Sequence, residues 1–137
     1  KGVLYSASTK GPVSIAMFDI DDFKRVNDCF GHVYGDQVLI DIAAIIKNGI
    51  RDTDLVGRYG GEELMVVFTG ADLGTAAKIA ERIRKMVEKH LFAQNINVTI
   101  SGGVKSHEGE KLMDFIHEAD KNLYEAKRLG KNQIIAY

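Results

Sequence analysis

The stretch LVGRYGGEELMVVFT, residues 55–69, decides the fold. Leu55 to Tyr59 and Leu64 to Thr69 read as two strands around Gly60-Gly61, a hairpin signal. A hairpin makes the sheet at least partly antiparallel. Working outward, Val13 to Phe18 (VSIAMF) is a short apolar run ending in acids, the pattern of a buried strand. Asp21 to Phe30 reads as a short helix, with Asp21 or Asp22 as its cap, and Gly31 to Gly35 as a loop. Asp36 is placed to cap the next helix, which carries Val38, Leu39, Ile42, Ile45 and Ile46 at helical spacing. From Gly74 to about His90 the pattern is again helical, with Ala77, Ala80, Ile83 and Val87 on one face. Val98 to Ser101 is a strand whose Gly102-Gly103 marks its end or a bulge. Leu112 to Leu129 is a helix with Phe115, Ile116, Ala119, Leu123 and Ala126 inward, closed by Gly130. Ile134 to Ala136 is a last short strand. Helices and strands alternate, but the hairpin turns the expectation from a doubly wound parallel sheet to a ferredoxin-like α+β layer.

The bulk composition bounds the function. The chain has 137 residues, 45% of them hydrophobic and 27% charged, the balance of a globular domain with a core of its own. A net charge of −1 argues against a general nucleic-acid binder, which carries a basic surplus. The single cysteine, Cys29, permits no internal disulfide and reads as a reduced thiol in a cytoplasmic domain. No apolar run reaches membrane-helix length. The chain opens at Lys1 without an initiator Met, so residues 1–137 are expected to be one domain excised from a longer protein. Whether that longer protein is anchored to a membrane stays open.

Four segments carry chemistry. In Phe18-Asp19-Ile20-Asp21-Asp22-Phe23-Lys24, three carboxylates cluster where an apolar strand ends. Mg²⁺ takes one or two carboxylates plus substrate phosphates, and Asp19, next to the strand, is the best ligand candidate. In Arg58-Tyr59-Gly60-Gly61-Glu62-Glu63-Leu64, a plain hairpin needs the glycines but not the paired glutamates. Strand alternation sets Glu62 and Glu63 on opposite faces, one reaching a metal shared with Asp19 and the other making a structural contact. In Asn27 to Asp36, an amide and a carboxylate can satisfy the edge of a guanine, against a plain alternative of helix-end and cap chemistry. His32 in that segment reads as structural. In Lys127-Arg128-Leu129-Gly130-Lys131, the basic helix end is explained by the helix dipole, and Lys127 and Lys131 can also bind phosphates.

Together these segments resemble the GGDEF family of diguanylate cyclases over about Val13 to Ile135. The carriers are RYGGEEL (58–64), FDIDDFKRVND (18–28), GHVYGD (31–36) and ADKNLYEAKRLGKN (119–132). The resemblance implies a palm-type, mainly antiparallel five-stranded sheet flanked by helices. It implies condensation of two GTP into cyclic di-GMP across a homodimer of domains, with Mg²⁺ or Mn²⁺. Asp19, Glu62 and the Ile20 carbonyl would hold metal, and Glu62 would also be the general base. Asn27 and Asp36 would read guanine, and Lys24 would stabilise phosphate charge. Lys127 and Lys131 would contact the terminal phosphates. Gly60-Gly61 would lie against the nucleotide, with His32 in the loop beside it. Arg51-Asp52-Thr53-Asp54 fits the family's Arg-x-x-Asp inhibitory motif, so Arg51 and Asp54, joined by Arg82, would bind the product. A regulatory domain is expected elsewhere in the full-length chain. The alternative is a catalytically weak module that binds GTP or cyclic di-GMP as a sensor. Leu64 stands for a Phe and Lys131 for an Arg, and residues 1–11 are too short for the family's first helix.

Overall fold

The computed structural model describes residues 11–137. The expectation about a first helix therefore lies outside the described residues, apart from Gly11. The elements follow in the order β1 (Val13–Ile20), α1 (Phe23–Phe30), α2 (His32–Gly49), β2 (Leu55–Gly60), β3 (Glu63–Thr69), α3 (Leu73–Lys89), β4 (Ile100–Ser106), α4 (Leu112–Arg128) and β5 (Ile134–Ala136). One sheet holds all five strands in the order β2-β3-β1-β4-β5. Its first three pairings are antiparallel, and only β4–β5 is parallel. The expected ferredoxin-like, palm-type sheet flanked by helices is what the chain forms.

β1 lies in the middle of the sheet and is covered on both faces, which is why its sequence runs apolar without alternation. Ala16, Phe18 and Ile20 face the larger core, shared with α2 and α3. Val13, Ile15 and Met17 face a smaller core under α4, built with Phe115, Ala119 and Leu123. Each such large side chain contributes roughly 1.5–3 kcal/mol by leaving water. On α3 the buried face is Ala76, Ile79, Ala80, Ile83 and Val87, so Ala76 rather than Ala77 points inward. Ile116 is half-buried at the margin of the smaller core.

Four local expectations are corrected. Gly31 to Gly35 is not a loop. Gly31 alone breaks the chain, at φ 91°, with its N–H closing α1 on the Asn27 carbonyl at 2.8 Å. α2 then starts at His32, so Asp36 sits inside its first turns rather than capping it. Neither Asp21 nor Asp22 caps α1: Asp22 occupies the cap position without a side-chain cap bond, and Asp21 is buried elsewhere. Gly102-Gly103 is neither the end of a strand nor a bulge, because β4 runs through both to Ser106.

The glycines in β4 exist for α4. A Cβ on Gly103 would stand 2.2 Å from the Ala119 carbonyl oxygen and 2.2 Å from the Leu123 backbone nitrogen. α4 thus rests directly on the strand backbone, and its C-terminal end is carried to the acidic end of β1. Gly103→Ala should push α4 off the sheet and cost about 2–3 kcal/mol or more. Gly57→Ala, where the added carbon meets nothing within 4 Å, should cost far less. Denaturant unfolding of the two variants measures the difference; equal losses would mean that α4 does not depend on this contact.

Candidate active site

The site lies where β1 ends, on the face covered by α4. Asp19 pairs across the sheet with Glu63 on β3 and with Ser101 on β4. Cross-strand partners share a face, so Glu63 stands beside Asp19. The hairpin register shifts at Tyr59, pairing Gly60 with Glu63 and leaving Gly61 and Glu62 as the turn. Gly61 takes φ 42°, and its carbonyl accepts from Arg58 Nε at 2.8 Å. Strand alternation therefore does not separate Glu62 from Glu63, contrary to the sequence reading. Both press on Asp19, Glu62 more strongly.

Asp19 is the strained group. Among the described residues its buried Oδ1 has no hydrogen-bond partner. Burial pushes its pKa up to about 7; Lys127 opposes this, while Glu62, Glu63 and Asp21 add to it. Glu63 is raised in the same way, by burial first and then by Asp120 and Glu62. Asp21 is the contrast. Burial pushes it up, but hydrogen bonds from Lys127, Ser101 and Thr99 outweigh burial and hold it below the usual aspartate value. Its oxygens accept from Ser101 Oγ at 2.7 Å, Thr99 Oγ1 at 2.7 Å, Lys127 Nζ at 2.8 Å and the Asn132 N–H at 2.9 Å.

The same ammonium of Lys127 lies 3.4 Å from the Ile20 carbonyl oxygen and 3.8 Å from Asp19 Oδ1. The end of β1 thus already attracts a cation. Among the described residues no three His, Cys, Asp or Glu side chains form a complete metal set. An orphaned carboxylate oxygen, a second acid and a backbone carbonyl instead suit Mg²⁺, which takes few protein ligands and completes its shell from phosphate and water.

The remaining residues fall into three groups. Lys131 Nζ contacts Asp22 Oδ1 at 2.6 Å, so both candidate phosphate lysines stand over the start of α1. Lys24 is exposed and pairs with Asp28 along α1 at 3.0 Å. Asn27 packs against Gly35, next to Asp36, at the α1–α2 corner, where a Cβ on Gly35 would fall 1.8 Å from Asn27 Oδ1. Gly35 is thus the seat of the Asn27 amide. His32, exposed, opens α2 at that corner rather than lying in a loop. Arg51 and Asp54 form a separate group at the far end of α2. The guanidinium clamps the buried Asp54 carboxylate at 2.9 and 2.7 Å, and Arg82 donates to the Gly49 carbonyl nearby.

Sequence reasoning missed Asp21 as a hub, Gly35 as a seat, Asn132, and the uncapped start of α1. The first-turn N–H groups of that helix have no side-chain cap and form a ready anion site. Reading Asp21 and Asp22 as caps concealed it. The signal for Asn132 was its place after Gly130-Lys131, at the end of a segment already singled out.

Acids gathered at the end of the middle strand of such a sheet, beside a glycine hairpin, define a palm-type domain of the nucleotidyltransferase kind. The chain belongs to the GGDEF domain family: the family model described as diguanylate cyclase, GGDEF domain, matches residues 3–133. It is 44% identical over 134 residues to diguanylate cyclase A of Treponema denticola, covering 94% of this chain and 36% of that protein. It is 41% identical over 131 residues to the response regulator PleD of Caulobacter vibrioides, covering 90% of this chain and 29% of that protein. The chain thus spans about a third of these curated relatives. Its fold matches the active GGEEF domain of a diguanylate cyclase from Vibrio cholerae with a TM-score of 0.92 at 37% identity, covering 98% of this chain and 89% of that one. It matches the GGDEF domain of DgcB from Caulobacter crescentus, solved with c-di-GMP, with a TM-score of 0.91 at 31% identity, covering 98% and 83%. Among the described residues no helix is long and apolar enough to cross a membrane.

The raised pKa of Asp19 has a signed consequence. The folded value of about 7 exceeds the ordinary 3.8, so the fold loses stability as pH rises between them. In metal-free buffer, Asp19→Asn should melt higher than wild type at about pH 8, and the gain should shrink toward about pH 4. Thermal denaturation across that range measures it; a pH-independent difference would mean that Asp19 holds no penalised charge.

Proposed function

We infer that this domain is a diguanylate cyclase, condensing two GTP into cyclic di-GMP and releasing two pyrophosphates. The observation that carries this reading is the orphaned, charge-penalised Asp19 beside Glu62 and the Ile20 carbonyl, within reach of Lys127. Asp19, Glu62 and the Ile20 carbonyl would hold Mg²⁺ or Mn²⁺. Such a cation acidifies a 3′-hydroxyl and neutralises charge on the phosphates.

Everything else falls to the chain. The Asn27 amide and Asp36 carboxylate read the guanine edge, with His32 flanking the base. The first-turn N–H groups of α1, with Lys127 and Lys131, bind the terminal phosphates, and Lys24 adds charge there. Gly60-Gly61 lets the nucleotide approach the hairpin backbone. Glu62 takes the proton from the 3′-hydroxyl. The 3′-oxygen then bonds to the α-phosphorus of the opposing GTP, and the α–β bridging bond breaks. The event occurs twice, so two domains each holding one GTP must face one another. The greater length of the curated relatives supports a regulatory part in the whole protein.

Incubation with GTP and Mg²⁺, followed by nucleotide separation, tests the reading. Wild type should yield cyclic di-GMP, and Glu62→Gln should lower the rate at least about 100-fold while still folding. GTP binding without product would favour a sensor, and a fully active Glu62→Gln would remove that residue from the chemistry.

Arg51, Asp54 and Arg82 are read as a product site distant from the acids. A guanidinium can bind a phosphate or guanine in a bidentate manner, and Arg51 keeps N–H groups free of Asp54. Calorimetry with cyclic di-GMP should give at least about tenfold weaker binding for Arg51→Ala, and a smaller loss for Arg82→Ala, which leaves the Arg51–Asp54 pair intact. Unchanged affinity in both variants would make these residues a structural turn only.

A further inference from the structure

Arg84 on α3 is nearly buried, its side chain 12% exposed. Its Nε and Nη2 grip both oxygens of Glu81 at 2.8 and 2.7 Å. Its remaining arm, Nη1, reaches across to Asn132 Oδ1 at 2.8 Å. Asn132 answers with its own amide, Nδ2 donating to Glu88 Oε2 at 2.7 Å. Two α3 side chains therefore hold both ends of the Asn132 amide.

The backbone there needs such a hold. Lys131 and Asn132 both take left-handed conformations, at φ 67° and 50°. Non-glycine residues adopt these only when their surroundings impose them. The Asn132 N–H donates to Asp21 Oδ2 at 2.9 Å, and the other oxygen of Asp21 receives Lys127. Lys131, one residue earlier, reaches Asp22. The turn thus carries Lys131 and shares with Lys127 the Asp21 carboxylate that Lys127 grips.

We propose that Arg84 is a positioning residue for this phosphate-binding turn, acting through Asn132 to set where Lys127 and Lys131 stand. The inference rests on the reading that these lysines bind the terminal phosphates of a guanosine nucleotide. Arg84 itself touches neither nucleotide nor metal. Its loss should therefore weaken binding in proportion to the phosphates present and leave recognition of the base alone.

Calorimetry on the whole chain, with Mg²⁺, would compare the α,β-methylene analogue of GTP with GMP for wild type, Arg84→Met and Asn132→Gly. Asn132→Gly keeps the left-handed backbone and its N–H but removes the amide, and it leaves the Arg84–Glu81 pair in place. It decides the matter if Arg84→Met fails to fold. The expected result is about tenfold weaker binding of the analogue in both variants, with GMP within about twofold of wild type. Variants that keep wild-type affinity for the analogue would overturn the inference while leaving the phosphate reading intact. Variants that lose analogue and GMP equally would overturn it too, since Arg84 would then only support the fold. A wild type that binds the analogue no better than GMP would sink the phosphate reading and this inference with it.

Discussion

The buried carboxylate of Asp21 is the constraint on which the rest of the site depends. A charge taken out of water must be paired and hydrogen-bonded, or it neutralises. Asp21 meets that demand with donors from β4 and the residue just before it, from the end of α4, and from the turn before β5. Each donor belongs to a segment that would otherwise be free to drift. Its own N–H donates to the Thr99 carbonyl at 2.9 Å, which keeps the backbone beyond β1 alongside β4. One acid therefore ties four stretches of chain to a single point.

That point has an unsatisfied neighbour. Asp19, two residues earlier on the same face, has an oxygen without a partner. The two acids differ through their donors rather than through burial alone. Hydrogen bonds that hold Asp21 ionised consume Lys127 and Ser101, and little remains for Asp19. A stable anchor is thus set beside an acid that gains from an added cation. Such division of labour between adjacent carboxylates is a recurrent way of tuning one site.

Geometry makes this possible through missing atoms. Gly103 lets α4 lie on β4, and the depth of that contact fixes how far Lys127 extends toward β1. Gly35 does the same at the other corner by leaving space for the Asn27 amide. At Gly103 the backbone of α4 occupies the space a methyl group would take, and at Gly35 the Asn27 side chain does. The two seats are far apart in sequence, yet they set the Asn27 corner and the lysines at the end of β1 on one framework.

The sequence by itself determined the element order, the antiparallel hairpin and the buried middle strand. Apolar periodicity and glycine turns are local signals, and local signals survive without a fold. Asp19, Glu62, Lys127 and Lys131 stand out in the sequence, because the acids cluster near a strand end and the cations at a helix end. The purposes of Asp21, Gly35, Gly103 and Asn132 were not. Asp21 has the same local pattern as a helix cap, and its partners lie 78 to 111 residues away in the chain. Gly103 reads as a strand breaker until α4 is brought against it. Only the tertiary structure decided these, because a hydrogen-bond partner or an excluded methyl group is defined by what long-range packing brings within a few ångströms.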